Sequence, residues 1–509
     1  MKTIKYIGLC FLSLAFIACE TDDGIDKGVT ILPELTAGSA DFSTYVAVGA
    51  SFTAGVSDGG LFLASQENSF TSTIAKAFAN VGGGEFLQPL VNDNTGNITV
   101  GGTPVGRYRF VTVGGAPAPL DVFLSSQGLP VPPITTEAGI NIGSDFNNFG
   151  IPGAKSFDLT APGYAGSSPY YARIASAPAA TVLQDAVAKN PTFFTLSEVG
   201  GNDVLGYATS GGDGSNAITD QGTFAAALNT LVDGLTENGA KGAITNVPSI
   251  PSLPFFTTVP NNALALDAGT AASLTGFFQA VTGIFAQGLI LQGVPPSDAL
   301  ALASQYSITF NEGPNRFLID VPVSPTNPLG FRQMTEDELL LLTIDQTALA
   351  QGYGSVVLTP EVLQVLGILQ AGGTPTAAQA ALVLAAVSGI DDKDALDSTE
   401  LEEIANAAQG YNSLIASIAE EKELAFVDLK SILEEASSGI EFDAYTPNTD
   451  FVTGGLVSLD GVHLTARGYA LMANRFLEAI DATYGSNFKA SGNLAKANDF
   501  PVFYSPTLQ

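Results

Sequence analysis

Apolar residues along this chain recur at two spacings. Residues 44–49, 192–197, 242–247 and 424–428 are short, β-rich apolar runs, and the last three each follow a helix-like stretch. The first stops on Gly49, the pattern of a buried parallel strand entering a turn. Such alternation predicts an α/β fold with a parallel sheet covered by helices on both faces. The clearest helix is the last: Thr465 is placed to cap it, and Tyr469, Met472, Ala473, Phe476 and Ile480 form one apolar stripe at helical spacing. Between about 80 and 148 the helical period disappears and Gly, Pro and Asn dominate, which predicts a long irregular insertion with room for a small β-hairpin. A second insertion, about 261–397, is rich in Ala and Leu and reads as a helical lid or subdomain. Its helix starts are expected at Thr335-Glu336-Asp337-Glu338, a capping-box pattern, and at Thr359-Pro360-Glu361, with proline at the first helical position. Neither a fixed-period repeat nor a coiled-coil heptad is present.

Composition narrows the function classes. The 509 residues are 46% hydrophobic and 14% charged, with 55 Gly and 28 Pro, which describes a folded chain with many tight loops, in one or two units. Fifty acids against 19 Lys and Arg give a net charge of −31. Such a chain repels phosphate backbones and anionic lipid heads, so nucleic acid is excluded as a partner and membrane attachment has to be covalent or hydrophobic.

The first residues carry such an attachment. Lys2 and Lys5 precede an apolar run over 7–17, too short to span a bilayer, and then Ala18 and Cys19. Composition alone also fits an ordinary signal peptide that contains a cysteine. Ala15-Phe16-Ile17-Ala18-Cys19 resembles a bacterial lipobox, with Phe16 where the pattern prefers Leu. The resemblance implies a lipoprotein signal peptide over 1–18, acylation of Cys19, a flexible tether over 19–40 and a place in the bacterial cell envelope, at the outer membrane and open to its surface. Cys10 and Cys19 are the only cysteines, so the processed chain keeps one thiol and no internal disulfide.

Four segments offer chemistry. Ser51 follows the first strand directly, which puts its hydroxyl at the carboxyl edge of the sheet, where open α/β folds bind ligands. A helix beginning there aims N–H groups at an anion. Asp460 and His463, the only histidine, share a turn before the last helix, and a carboxylate on one ring nitrogen leaves the other free to take a proton from a serine. Ser197-Glu198-Val199-Gly200-Gly201-Asn202-Asp203 ends another strand in a glycine turn, with the Asn202 amide at the same edge. In Asn148-Phe149-Gly150-Ile151-Pro152-Gly153, Gly153 can bring a bare N–H close to a substrate. Taken singly, each also reads as structure: a serine N-cap, a turn histidine, a Gly-Asn turn.

Together and in this order the segments resemble the SGNH hydrolases, the GDSL-type esterases and lipases. The serine block matches Gly49-Ala50-Ser51-Phe52-Thr53-Ala54-Gly55, with Ala50 where the family has Asp and Phe52 where it has Leu. The glycine block matches Gly153, the Gly-x-Asn-Asp block Gly200 to Asp203, and the Asp-x-x-His block Asp460 to His463. The resemblance covers roughly half the chain and implies a flavodoxin-like three-layer α/β/α domain over 41–490, with 491–509 as a tail. It further implies Ser51 as nucleophile, Asp460 and His463 as its partners, and an oxyanion hole from the Ser51 and Gly153 N–H groups and the Asn202 side chain. The expected reaction is hydrolysis of carboxylic esters, of lipids or acylated carbohydrates, through an acyl-enzyme and without cofactor or metal. The alternative is a non-catalytic surface lipoprotein that keeps the fold and binds a glycan or lipid. Ser57, in Gly55-Val56-Ser57-Asp58-Gly59, satisfies the elbow pattern of α/β-hydrolases but does not follow its strand at once. Asp213 and the group Asp391, Asp392 and Asp394 lack EF-hand spacing and read as solvated loops.

Overall fold

A computed structural model describes residues 32–96, 98–99, 107–113, 116–130 and 133–508. The signal segment, Cys19 and the first part of the tether lie outside them. Its central feature is a sheet of β1 (Tyr45–Gly49), β2 (Asn148–Gly150), β3 (Phe193–Leu196), β4 (Lys241–Thr245) and β5 (Ala425–Val427). The spatial order is β5-β4-β3-β1-β2, and every neighbouring pair is parallel. The four apolar runs are therefore strands. The fifth, β2, has only three residues, too few to show a period, and lies inside the segment expected to serve as a glycine motif.

Strand alternation divides two cores. Val46, Val48, Phe194, Leu196 and Ile244 face one side, while Tyr45, Ala47, Phe193, Ala243 and Val427 face the other. In chain order the helices that bear on the cores and the site are α1 (Ser51–Ala54), α2 (Phe70–Ala79), α3 (Val182–Val187), α4 (Gly201–Thr209), α5 (Gln221–Thr236), α6 (Ala268–Leu291), α7 (Ser398–Glu421), α8 (Leu429–Ser438) and α9 (Ala466–Tyr484). Val182 of α3, Leu231 of α5 and Ile415 of α7 pack into the first core; Phe70 of α2 and Phe476 of α9 pack into the second. The sheet is thus a middle layer between two helical ones. Thr465 caps α9 by accepting the Gly468 N–H at 3.0 Å, and the expected stripe of α9 is buried in the second core.

The insertion over 80–148 contains the hairpin, Tyr108–Val113 paired antiparallel with Ala116–Pro119, followed by a helix at Leu120–Ser126. The second insertion has an apolar core of its own, in which Phe277, Phe278 and Val281 of α6 meet Tyr306, Phe331 and Val362. Helix α6 is long and apolar enough to cross a membrane; these three residues are buried in that core, while only 28% of its most apolar 18-residue stretch is buried. The helix expected at Thr359 forms over Pro360–Gln370. The one expected at Thr335 does not. Glu338 accepts the Thr335 N–H at 2.7 Å, half of a capping box, but also binds Arg332 through both oxygens, and the next residues pair as Leu339–Leu340 with Ala395–Leu396. The ion pair of half-buried Arg332 with buried Glu338 and the strand pairing override the local helix signal.

Gly200 shows how tightly the loops at the sheet edge are fitted. Its φ is +99°, and a Cβ there would lie 2.8 Å from Val247 Cγ2 and 3.0 Å from the Phe224 ring. Gly200→Ala combines a left-handed backbone with overpacking and is expected to lower the unfolding free energy by about 2–4 kcal/mol, measured by urea denaturation.

Candidate active site

The ends of β1, β2 and β3 bring three of the expected residues to one edge. Ser51 is buried, 8% exposed, and opens α1 immediately after β1. As the first helical residue it has no acceptor for its N–H within the helix. The neighbouring N–H groups are taken by a single carboxylate that the motif reading passed over. Glu198 Oε1 accepts from Ala50 at 3.0 Å and Thr53 at 2.6 Å, and Oε2 accepts from Phe52 at 2.8 Å. Glu198 follows β3 with φ +56°, a left-handed backbone rare outside glycine, and its own N–H donates to Thr245 Oγ1 at 2.9 Å. Burial raises its carboxyl above the usual range, opposed by the three backbone donors. The signal in the sequence was an acidic residue at the end of an apolar strand, where a carboxylate needs partners.

Asp460 and His463 form the expected pair, with Asp460 Oδ2 2.7 Å from His463 Nδ1. Asp460 also accepts from the N–H groups of Gly59 at 2.6 Å, His463 at 2.8 Å and Val462 at 2.9 Å, and from Ser458 Oγ at 3.1 Å. Against the desolvation of its burial, the histidine and these donors hold its carboxyl well below the usual carboxylate range. An ionised carboxylate only accepts, so Nδ1 carries the ring proton and Nε2 of the neutral ring is the acceptor. Burial disfavours the imidazolium, but Asp460, and to a lesser degree Glu198, outweigh it and raise the His463 pKa. Nε2 is buried without a hydrogen-bond partner, so no bond joins it to Ser51. The ring lies 5.4 Å from that of Phe52, the residue after the serine.

Gly153 lies in the turn after β2 with φ +81° and open space where a Cβ would stand. The Asn202 amide donates to Ala154 O at 2.9 Å, which ties it to the Gly153 turn and leaves its second N–H available. Asp203 secures the same junction by accepting the Ser156 N–H at 2.9 Å and hydroxyl at 2.7 Å. Ser51 at the start of α1, Gly153 in its turn and Asn202 in the first turn of α4 thus stand beyond the carboxyl ends of three adjoining strands.

Ser57 has a structural task. It is 1% exposed, and its hydroxyl donates to Leu464 O at 2.9 Å, beside the histidine. Asp58 continues the link by accepting the Leu459 N–H at 3.1 Å, and it pairs at 3.5 Å with Arg107, a fully buried cation from the first insertion. Burial lowers the Arg107 pKa to about 10 against the pull of Asp58. Its guanidinium lies 4.5 Å over the Phe62 ring and donates to Ser505 O at 3.1 Å. A largely apolar cavity adjoins Ser51, Glu198 and Asn202. Among the described residues no group of three or more His, Cys, Asp or Glu side chains could hold a metal ion.

Glu198→Ala strands three N–H donors and is expected to lower the unfolding free energy by about 2–4 kcal/mol in urea, whereas Glu198→Gln, which keeps one acceptor oxygen, loses about half as much. No protein-family model, no curated protein and no solved structure matches this chain, so its site is read from its own geometry.

Proposed function

We propose that the protein is a serine hydrolase of the SGNH type, hydrolysing carboxylic esters through an acyl-enzyme on Ser51. The observation that carries the reading is the Asp460–His463 pair, whose remaining nitrogen has no partner and whose ring lies against the residue after Ser51. The strand order β5-β4-β3-β1-β2 supports the flavodoxin-like arrangement, in which ligands bind at the carboxyl ends beside β1 and β3.

In this mechanism the ester carbonyl sits between Ser51 and the N–H groups of Ser51, Gly153 and Asn202. The mechanism requires Ser51 Oγ to reach His463 Nε2, a contact that in unliganded sites is often long. His463 takes the hydroxyl proton as Oγ attacks the carbonyl carbon. The three donors hold the oxyanion, each worth a few kcal/mol in the transition state. The imidazolium then protonates the leaving alcohol oxygen as its bond to carbon breaks. Water repeats the cycle: His463 takes its proton, the hydroxide oxygen bonds to the acyl carbon, and Ser51 leaves with the proton returned. Asp460 holds the ring in the required tautomer.

The open Ser51–His463 contact and Ala50 favour the second reading, a binding lipoprotein without turnover. Fluorophosphonate labelling separates the two. Wild type is expected to be labelled and to hydrolyse short p-nitrophenyl esters, and Ser51→Ala and His463→Ala to lose both while remaining folded. An unlabelled wild type, or full hydrolysis by either variant, overturns the proposal.

A base must be neutral, so activity falls as pH drops through the His463 pKa. That pKa lies above the ordinary 6.5, so the acid limb of kcat/KM is expected above that value. Glu198→Gln removes a negative neighbour of the imidazolium, and the limb is expected to move to lower pH; an unmoved limb rules out that influence. For the anchor, Cys19→Ala is expected to abolish incorporation of labelled palmitate and release the protein from the membrane fraction.

A further inference from the structure

We infer that the cavity beside Ser51 is an acyl-chain pocket and that the favoured substrates are esters of unbranched, medium to long fatty acids, a specificity that rests on Ser51 being the nucleophile. The cavity offers about 110 Å³ to the centres of water-sized spheres and opens to solvent at its mouth. Ser51, Glu198 and Asn202 are the polar groups at its reacting end. Away from them it runs between α8, through Ile432, Leu433 and Ala436, and α9, through Leu471 and Met472. Among the described residues, the only other polar side chain on its wall is Thr449.

The chemistry of this wall decides between the two substrate classes open from the sequence. A sugar would bury several hydroxyls against methyl and methylene groups, and each buried hydroxyl without a partner is unfavourable. Glu198 offers little to it, because both carboxylate oxygens already accept backbone N–H groups. An acetyl group reaches only the mouth and leaves the apolar remainder unfilled. An alkyl chain fills it without requiring any polar partner. The acyl part stays bonded to Ser51 after the alcohol has left, so a cavity rooted at Ser51 suits the half of the ester that is held longer. Each buried methylene is worth about fourfold in kcat/KM.

The test uses the full chain and p-nitrophenyl esters from acetyl through butyryl, octanoyl and dodecanoyl to hexadecanoyl. The expected result is a kcat/KM that climbs with chain length to an optimum at octanoyl or beyond. Ala436→Phe and, on another part of the wall, Leu433→Phe are each expected to cut the dodecanoyl-to-acetyl ratio tenfold or more. A profile that is flat or falls from acetyl onward, in a protein whose Ser51 takes a fluorophosphonate, overturns the acyl pocket and leaves the hydrolase standing. If neither labelling nor hydrolysis occurs, the hydrolase reading fails, and the fluorescence of cis-parinaric acid decides the pocket separately. Saturable binding competed by dodecanoate and weakened in Ala436→Phe supports it; no binding overturns it.

Discussion

The start of α1 presents more N–H groups than its own helix can satisfy, and the way Glu198 disposes of them shapes everything around Ser51. Its two oxygens take the groups of Ala50, Phe52 and Thr53 and pass over the one between. The turn is thereby fixed by a side chain reaching across from the end of β3, and the Ser51 N–H is left as the donor not committed to the fold. The same carboxylate adds negative potential near His463. Structural support of the serine turn and tuning of the histidine are therefore carried by one residue. With Ala50 in the place where a carboxylate of the serine block is expected, support for the turn comes from outside that block.

The second half of the site is fastened to the first without a bond between Ser51 and His463. Gly59 donates to Asp460, Ser57 to Leu464 O, Leu459 to Asp58, and Tyr469 donates its hydroxyl to Val56 O at 2.6 Å. The segment just beyond α1 and the turn before α9 consequently behave as one body, with Arg107 behind them. Phe255, just ahead of the second insertion, links it to the same turn: its N–H donates to Gly461 O and its carbonyl accepts from Leu342.

Much of this was legible in the sequence wherever a single segment carried its own signal. The apolar runs gave four strands, the stripe from Tyr469 to Ile480 gave α9, and Ser51, Asp460, Gly153 and Asn202 stood in recognisable blocks around a unique histidine. What escaped was held by partners distant in sequence. Glu198 binds backbone groups some 145 positions away, and a backbone N–H leaves no trace in residue type. Arg107 lies in a glycine-rich stretch without periodicity, so neither its burial nor its pairing with Asp58 could be anticipated. Thr335 to Glu338 misled for the opposite reason: a local pattern was complete, but Arg332 claimed Glu338 and the strand at 395–396 claimed the two residues that follow.

The division of the site between the two ends of the fold has a consequence for how the protein comes into being. The turn carrying Ser51 follows the first strand of the sheet, and the histidine turn precedes the last long helix. Contacts of such high sequence separation form late, because the intervening loops must close first. A growing or still unfolded chain therefore carries a serine with no base beside it and an N–H with no neighbouring donors. On the proposed hydrolase reading, reactivity arrives only with the completed tertiary structure, and the chain is chemically silent through synthesis and any passage it makes in an extended state.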